Sequence, residues 1–136
     1  VQQLSWWQRA PLQATPPDPL LRPPPQDMNS WQGMNPGALL PPASAAGHVL
    51  CGHDFTPFAR VRREGGVLEC LSVTGRCEVF VDGRRLGAKT EPVPAPLRLA
   101  LPPGEGARRL AVVFHVAAGE VAGFGNVVRI AQGVPR

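Results

Sequence analysis

The sequence is poor in the residues and patterns on which several kinds of site depend. It contains no tyrosine, only three tryptophans and no apolar run near the roughly 20 residues that a membrane-spanning helix requires. A transmembrane segment is therefore excluded, and the chain lacks the aromatic surplus of many dedicated sugar-binding modules. No G-x-S-x-G stretch is present, so nothing predicts the nucleophile elbow of a serine hydrolase.

Cysteine is also scarce, because only Cys51, Cys70 and Cys77 occur and none has C-x-x-C spacing. Together with three scattered histidines they predict neither a disulfide framework nor a metal site, and no cofactor is implied. If a two-residue turn closed a hairpin at Thr74-Gly75, the sulfurs of Cys70 and Cys77 would be diagonal neighbours. Their α-carbons would then lie at or beyond the ~7 Å limit for a disulfide. We predict that these two are small core hydrophobes, which is compatible with cytoplasm, periplasm or secretion.

Positive charge is in excess, with a formal net charge of +4 and a pI near 9.8. The arginines, however, occur as pairs such as Arg62-Arg63, Arg84-Arg85 and Arg108-Arg109, each within two residues of a glycine or an acid. A nucleic-acid binder more often presents a continuous basic stripe interleaved with exposed aromatic residues. We therefore predict a solvated surface and no nucleic-acid or membrane partner, and keep electrostatic DNA binding as a weaker alternative.

Residues 1–46 differ in composition from the rest, since they contain ten of the 17 prolines. Proline removes a backbone donor and fixes φ, so we expect neither a helix nor a central strand here. The segment is too apolar for a free tail, which predicts an extended strap that packs on the remaining domain. Trp6-Trp7 could instead pack on another domain, and the start at Val1 predicts a processed chain or a piece of a larger protein.

Residues 47–136 show short apolar runs bounded by glycine and proline, the spacing of an antiparallel β-sandwich. The central stretch Val67–Gly87 predicts a strand, a Thr74-Gly75 turn, a second strand and an Asp82-Gly83 turn. Cys77 to Asp82 alternates between apolar and polar residues, as a strand with one buried face does. Asp-Gly after such a run is a strong hairpin signal, because both turn residues need positive φ.

Further strands are predicted on either side of this stretch. His48–Asp54 and Phe55–Val61 predict strand structure interrupted at Pro57, and Leu97–Leu101 alternates as a half-buried strand. Arg108–Val116 predicts a near-continuous strand, with Leu110, Val112, Phe114 and Val116 on one face. His115 then lies on the opposite face, and we predict a surface histidine. No stretch has a helical period, which predicts an all-β fold.

The order of these elements resembles a known family. Phe55, Leu68-x-Cys70 and the run from Cys77 to Gly87 are followed by Pro96-Leu97-Arg98-Leu99, a Pro-Gly turn at 102–106 and the Leu110–Phe114 strand. This arrangement is similar to the galactose-binding-like jelly-roll domains of family 2 glycoside hydrolases. Asp27-Met28-Asn29-Ser30-Trp31 resembles the Asp-x-x-x-Trp element before their first strand. The resemblance covers roughly residues 27–131, and Asp82 replaces the family's usual asparagine.

The resemblance implies a jelly-roll β-sandwich that is an accessory domain of a bacterial, β-galactosidase-like glycosidase. The catalytic carboxylates of those enzymes lie in a separate barrel domain, so neighbouring domains are the implied partners. Within this chain most acids fall on turns or on outward strand positions, and nothing predicts the converging pair that glycoside hydrolysis needs. We therefore assign no catalytic residue and expect no enzyme activity from the chain alone.

The alternative function is a carbohydrate-binding module that recognises galactose-containing glycans. Sugar sites combine an aromatic face with amide, carboxylate and guanidinium groups. In domains of this fold such a site usually lies on loops at one end of the sandwich, where the candidates are Trp31, His53, Asp54, Asp82, Arg84 and Arg85. Trp31 could instead be a buried anchor for the strap, and Asp82 to Arg85 a charged hairpin end.

Overall fold

The computed structural model of the chain describes residues 1–23 and 31–132. Within these residues the fold consists of eleven strands and one short helix. In chain order they are β1 (Gln2–Gln3), β2 (Trp7–Arg9), β3 (Gln32–Met34), β4 (Gly47–Phe55), α1 (Ala59–Glu64), β5 (Gly66–Thr74), β6 (Arg76–Val81), β7 (Arg84–Lys89), β8 (Ala95–Leu101), β9 (Arg108–Val116), β10 (Gly123–Phe124) and β11 (Val128–Gln132).

The strands form two antiparallel sheets. One has six strands in the order β3-β2-β4-β9-β6-β7, and the other has five, with β5 paired to β8, β10 and β11 and with β1 paired to β11. Both sheets contribute side chains to one apolar core, as in a β-sandwich. The predicted all-β antiparallel sandwich is confirmed, whereas its jelly-roll connectivity stays a prediction.

Alternation along the strands decides which side chains fill the core. Leu110, Val112 and Phe114 of β9 are fully buried between the sheets, as the sequence predicts. Cys70 and Cys77 are free and buried in the same core, which confirms their predicted role. Burial raises the pKa of the Cys70 thiol to about 12 and that of Cys77 to about 11. These thiols therefore stay protonated and unreactive near neutral pH.

The tight turn at Asp82-Gly83 joins β6 and β7 as a hairpin, as predicted. Asp82 has φ 49° and Gly83 has φ 84°, the positive values that this turn requires of both central residues. The Asp82 carboxylate also accepts a hydrogen bond from the backbone N–H of Arg109 at 2.9 Å. The turn is thus tied to the neighbouring strand β9.

The expected hairpin at Thr74-Gly75 is wrong, because β5 and β6 lie in different sheets. β5 pairs with β8 and β11, while β6 pairs with β7 and β9. Gly75, with φ 96°, is where the chain crosses between the sheets, and a β-carbon there would lie 2.9 Å from that of Ala122. A crossing and a hairpin need the same local turn residues, so the local pattern does not separate them.

The N-terminal segment is more regular than its prolines predict. β2 lies between β3 and β4 in the six-stranded sheet, so the expectation of no central strand is wrong. The physical reason is local, since the first ten residues contain no proline and keep every backbone donor. The division into a strap at 1–46 and a core at 47–136 stays a prediction, and Asp27 to Ser30 lie outside the described residues.

The second half of the predicted Phe55–Val61 strand is wrong, because Ala59–Glu64 forms the helix α1. Val61 is buried, and Arg60 pairs with Glu64 at 3.0 Å across one helical turn. Six residues are too few to show a helical period in the sequence. Within residues 1–23 and 31–132, no helix is long and apolar enough to cross a membrane.

Replacing Phe114 by alanine is expected to lower the free energy of unfolding by about 3–5 kcal/mol, because its ring is fully buried between the sheets. Phe58→Ala is the matched control, since Phe58 is 50% exposed and should change stability by about 0.5 kcal/mol or less. Urea unfolding followed by circular dichroism measures both. Equal losses would contradict the described core.

Candidate functional site

The outer face of the six-stranded sheet, which points away from the five-stranded sheet, has an apolar centre. Leu50 of β4 and Ala111 and Val113 of β9 are buried there, with Phe80 of β6 packed beside them. Trp31 belongs to this cluster and is only 9% exposed. Its indole therefore covers the sheet, which favours the anchor interpretation over a ligand platform.

Asp54, near the end of β4, lies between two arginines. Its carboxylate pairs with Arg22 of the N-terminal segment and with Nη1 of Arg109 at 3.4 Å. Burial alone would raise the pKa of Asp54, but the hydrogen bond from Arg22 and the charges of both arginines outweigh it and lower the pKa. The carboxylate is thus ionised at neutral pH and acts as an ion-pair partner.

The position of the Arg109 side chain depends on Gly52, because the guanidinium lies directly over this glycine. The Arg109 side chain is 5% exposed, and a β-carbon on Gly52 would come within 2.1 Å of its Nη2 atom. From this position Nη2 donates a hydrogen bond to the Leu21 carbonyl at 3.2 Å. The missing side chain of Gly52 therefore makes the space in which Arg109 ties the N-terminal segment to the sheet.

Arg109 also connects Asp54 to another predicted site residue. Asp82 accepts from the Arg109 backbone N–H and pairs with Nε of Arg108 at 2.9 Å. Arg84 is exposed in the β6–β7 hairpin. The structure thus brings Asp54 and Asp82 together on Arg109, while Trp31 is covered. A sugar-binding role for the predicted set stays a prediction.

A second polar network on the outer face was not predicted from the sequence. His48 Nδ1 lies 2.7 Å from His115 Nδ1, and His115 Nε2 lies 2.9 Å from a Glu78 carboxylate oxygen. The other oxygen of Glu78 pairs with Arg85 at 3.0 Å. Because one Nδ1 must donate and the other accept, at least one imidazole is neutral. Only the register of β4 against β9 places His48 opposite His115, so no local pattern reveals the pair.

The pKa directions in this network follow from its packing. Burial and the neighbouring His115 lower the pKa of His48, with Glu78 acting in the opposite sense. Burial alone would raise the pKa of Glu78, but hydrogen bonds from His115 and Arg85 outweigh it and lower the pKa. The arrangement is therefore a set of mutually satisfied polar groups at neutral pH.

His53, the remaining predicted residue, faces a cleft of about 400 Å³ at the β2–β4 junction. Trp6, Gln8, Asp54 and Arg109 also line it. The His53 ring stacks on Trp7 with ring centroids 5.3 Å apart, and burial lowers its pKa while a hydrogen bond to the Trp6 backbone opposes this shift. Trp6 is 75% exposed at the mouth of the cleft. The sequence singled out Trp6-Trp7 but not which indole is exposed.

No described cluster suits a metal ion. Within residues 1–23 and 31–132, no three histidine, cysteine, aspartate or glutamate side chains come together in a way that could hold one. The carboxylates instead pair with arginines within 4 Å, as in Asp54, Glu64, Glu69, Glu78, Asp82, Glu105 and Glu120. The chemistry on offer is hydrogen bonding and ion pairing.

The fold is that of a β-sandwich found within larger enzymes. No family model matches the sequence, and no curated protein matches it either. Among solved structures, a Faecalibacterium prausnitzii β-glucuronidase is similar to the chain at 21% identity and a TM-score of 0.64, over 85% of this chain and 20% of that one. A Ruminococcus gnavus β-glucuronidase has 12% identity and a TM-score of 0.63, over 96% of this chain and 28% of that one.

A β-glucuronidase from an uncultured Clostridium species is also similar to the chain, at 14% identity and a TM-score of 0.64, over 97% of this chain and 29% of that one. At these identities the likeness shows the fold. The chain therefore shares the fold of one portion of these glycosidases and spans less than a third of their length.

Gly52→Ala is expected to lower the free energy of unfolding by about 1–3 kcal/mol, because its β-carbon displaces the Arg109 guanidinium from Asp54 and Leu21. Gly33→Ala is the matched control in the same sheet, since a β-carbon there meets nothing within 4 Å. Urea unfolding of both variants tests the claim. Equal stability of the two would show that Arg109 does not need the space over Gly52.

Acidification from pH 7.5 to 5.5 is expected to lower the thermal unfolding midpoint. The folded state depresses the pKa of His48 below its usual 6.5, so the unfolded chain takes up the proton first and stability is lost as pH falls. Asp54 and Glu78, with lowered pKa values, stay ionised in this window.

Calorimetry of the wild type and of His48→Gln over this pH range isolates the His48 contribution. The variant should lose less of its midpoint than the wild type, since its amide does not titrate. His53, whose pKa is also lowered, titrates in both proteins and cancels in the comparison. A slope unchanged by the substitution would contradict this assignment.

Proposed function

We propose that this chain is a non-catalytic β-sandwich domain of a larger glycoside hydrolase. The observation that carries the proposal is that its fold matches β-glucuronidases over 85–97% of its own length but 20–29% of theirs. The sequence run from Cys77 to Gly87, which resembles family 2 glycosidase domains, supports it independently of the fold comparison. Its role in the parent enzyme is to pack against neighbouring domains or to shape access to their active site.

The state of the carboxylates supports a non-catalytic role. Glycoside hydrolysis uses two carboxyl groups whose pKa values are pushed apart, one of them raised so that it can act as an acid. Here the pKa values of Asp54, Glu78 and Glu120 are all lowered, and each of these groups pairs with arginine. Groups held as anions in this way stabilise a surface and are unsuited to protonating a leaving group.

The class of glycoside is the finer part of the proposal. The sequence resemblance favours a β-galactosidase-like parent, whereas the similar solved structures are β-glucuronidases. β-Galactosides and β-glucuronides both join a pyranose to a leaving oxygen. In this proposal the contacts that distinguish the two sugars belong to the catalytic domain of the parent enzyme. Parallel assays with β-galactosides and β-glucuronides therefore decide between them.

The isolated chain is expected to hydrolyse neither nitrophenyl β-galactoside nor nitrophenyl β-glucuronide. An antibody raised against it should recognise in the source cells a polypeptide several times larger than 14.5 kDa, and the immunoprecipitate should hydrolyse one of these substrates. The chain is purified from a host that lacks both glycosidases, so that no host enzyme contributes to the measured activity.

Turnover by the isolated chain that is abolished by a substitution within it would overturn the non-catalytic assignment. Detection of a 14.5 kDa species alone, without associated activity, would overturn the parent enzyme. The two parts of the proposal thus fail separately.

A further inference from the structure

Lys89 is the only lysine in the chain, and every other basic residue is an arginine. It ends strand β7 and is 8% exposed, which makes it, with Arg109, one of the two charged residues that are buried within residues 1–23 and 31–132. Arg109 is paired with the carboxylate of Asp54. Lys89 differs, because no described carboxylate lies within 4 Å of its ammonium group. A buried charge without a counter-ion needs other polar groups around it.

Three backbone carbonyls surround the Lys89 ammonium group. Its Nζ donates to the carbonyl of Gly75 at 3.1 Å, to that of Val93 at 2.5 Å and to that of Glu91. An ammonium group has three N–H donors, so these three oxygens, which we call the carbonyl cage, satisfy all of them. Carbonyl oxygens arranged around one point replace the water that a cation loses when it is buried.

Two of the cage oxygens come from a loop that is poor in backbone donors. Residues 90–94 contain two prolines, and proline has no backbone N–H to donate. The carbonyl of Pro92 accepts from the N–H of Gly75 at 3.0 Å, and the carbonyls on either side of it belong to the cage. Three consecutive carbonyls of the loop are therefore satisfied, one by Gly75 and two by Lys89.

The cage lies at the crossing between the two sheets. Gly75, with φ 96°, is the residue at which the chain leaves β5 for β6, and its N–H and C=O bind Pro92 and Lys89 respectively. Lys89 lies on β7 opposite Cys77 of β6, directly beside that crossing. The ammonium group thus joins β7, the 90–94 loop and the crossing at one point.

The geometry of the cage explains why a lysine stands here in a chain that otherwise uses arginine. A guanidinium is planar, and its donors form a fixed fork that suits a carboxylate. Arginine accordingly supplies the partners of carboxylates such as Asp54, Glu78 and Asp82. An ammonium group is compact, and its three donors diverge from one atom, as three carbonyls around one point require.

We propose that the carbonyl cage is a binding site for a primary ammonium group, which the chain fills with its own Lys89. The occupied site locks the 90–94 loop onto the crossing at Gly75, so that β5 and β6 separate into different sheets at a fixed point. Its ligand is defined by three N–H donors on one atom. The proposal goes beyond the accessory role proposed above and does not depend on a glycosidase parent.

Substitutions at Lys89 separate the ammonium group from its charge and from its apolar stem. Lys89→Met keeps a stem and should lower the thermal unfolding midpoint by roughly 3–10 °C, because three carbonyls lose their shared donor. Lys89→Arg keeps the charge but not the geometry and should lose about half as much or more. Arg63→Met is the matched control, since it removes one charge from an exposed position of α1 and should move the midpoint by about 2 °C or less. A wild-type midpoint in Lys89→Met or in Lys89→Arg would contradict the proposal.

Chemical rescue tests the site itself. Lys89→Ala removes the equivalent of n-propylammonium, so n-propylammonium chloride at about 100 mM should raise the midpoint of this variant by roughly 2–5 °C through binding to the folded state. The controls are n-propanol, which lacks the charge, and tetramethylammonium chloride, which lacks N–H donors. Lys89→Met should not respond, because its own stem fills the space. Equal shifts with all three additives, or none with n-propylammonium, would overturn the site.

The wild-type chain supplies a test that depends on no variant. Because Lys89 is the only lysine, its ammonium group gives a single side-chain signal in proton–nitrogen NMR of the lysine-labelled chain. Protons held by three carbonyls should exchange slowly with water near neutral pH, and Lys89 should resist an amine-reactive ester in the folded chain while reacting in urea. Rapid exchange with ready labelling of the folded chain would show a solvated ammonium group and end the proposal. These readouts involve no hydrolysis, so their failure leaves the accessory-domain proposal untouched.

Discussion

Strand β9 carries apolar side chains on both of its faces, and both faces are buried by other parts of the fold. It pairs with all nine residues of β4 on one edge and with six residues of β6 on the other. Leu110 and Phe114 are buried against the opposite sheet, while Ala111 and Val113 are buried on the outer face. A strand buried on both faces reads as a continuous apolar run. The outer face therefore needs a cover, and Trp31 is part of it.

Polar groups on the six-stranded sheet form two networks. Asp54 and Asp82 are joined through Arg109, and His48, His115 and Glu78 form a second network on the same sheet. In both networks the carboxylate is paired with arginine, so its charge is stabilised as an anion. Such groups tie segments of the chain together. The sandwich that carries these networks has the fold of portions of β-glucuronidases.

The chain passes between the two sheets at Gly75 and at Trp6, and both residues have a positive φ. At Gly75, φ is 96° and a β-carbon would press on Ala122, so glycine suits the position on both counts. At Trp6, φ is 64° and the side chain extends into solvent between two clefts. Glycine would be relaxed at this position, whereas Trp6 adopts it with its indole exposed.

The sequence by itself determined the features that depend on neighbouring residues. Alternation of apolar and polar residues identified β8 and β9, and Asp82-Gly83 identified one hairpin. The positions of Cys70 and Cys77 in the same alternating pattern predicted that both are buried. Only the tertiary structure decided that β5 and β6 part at Gly75, that Trp31 is covered while Trp6 is not, and that His48 meets His115. Side-chain period and turn preference are local properties, whereas the partner of a strand depends on which arrangement buries the apolar surface of the whole chain.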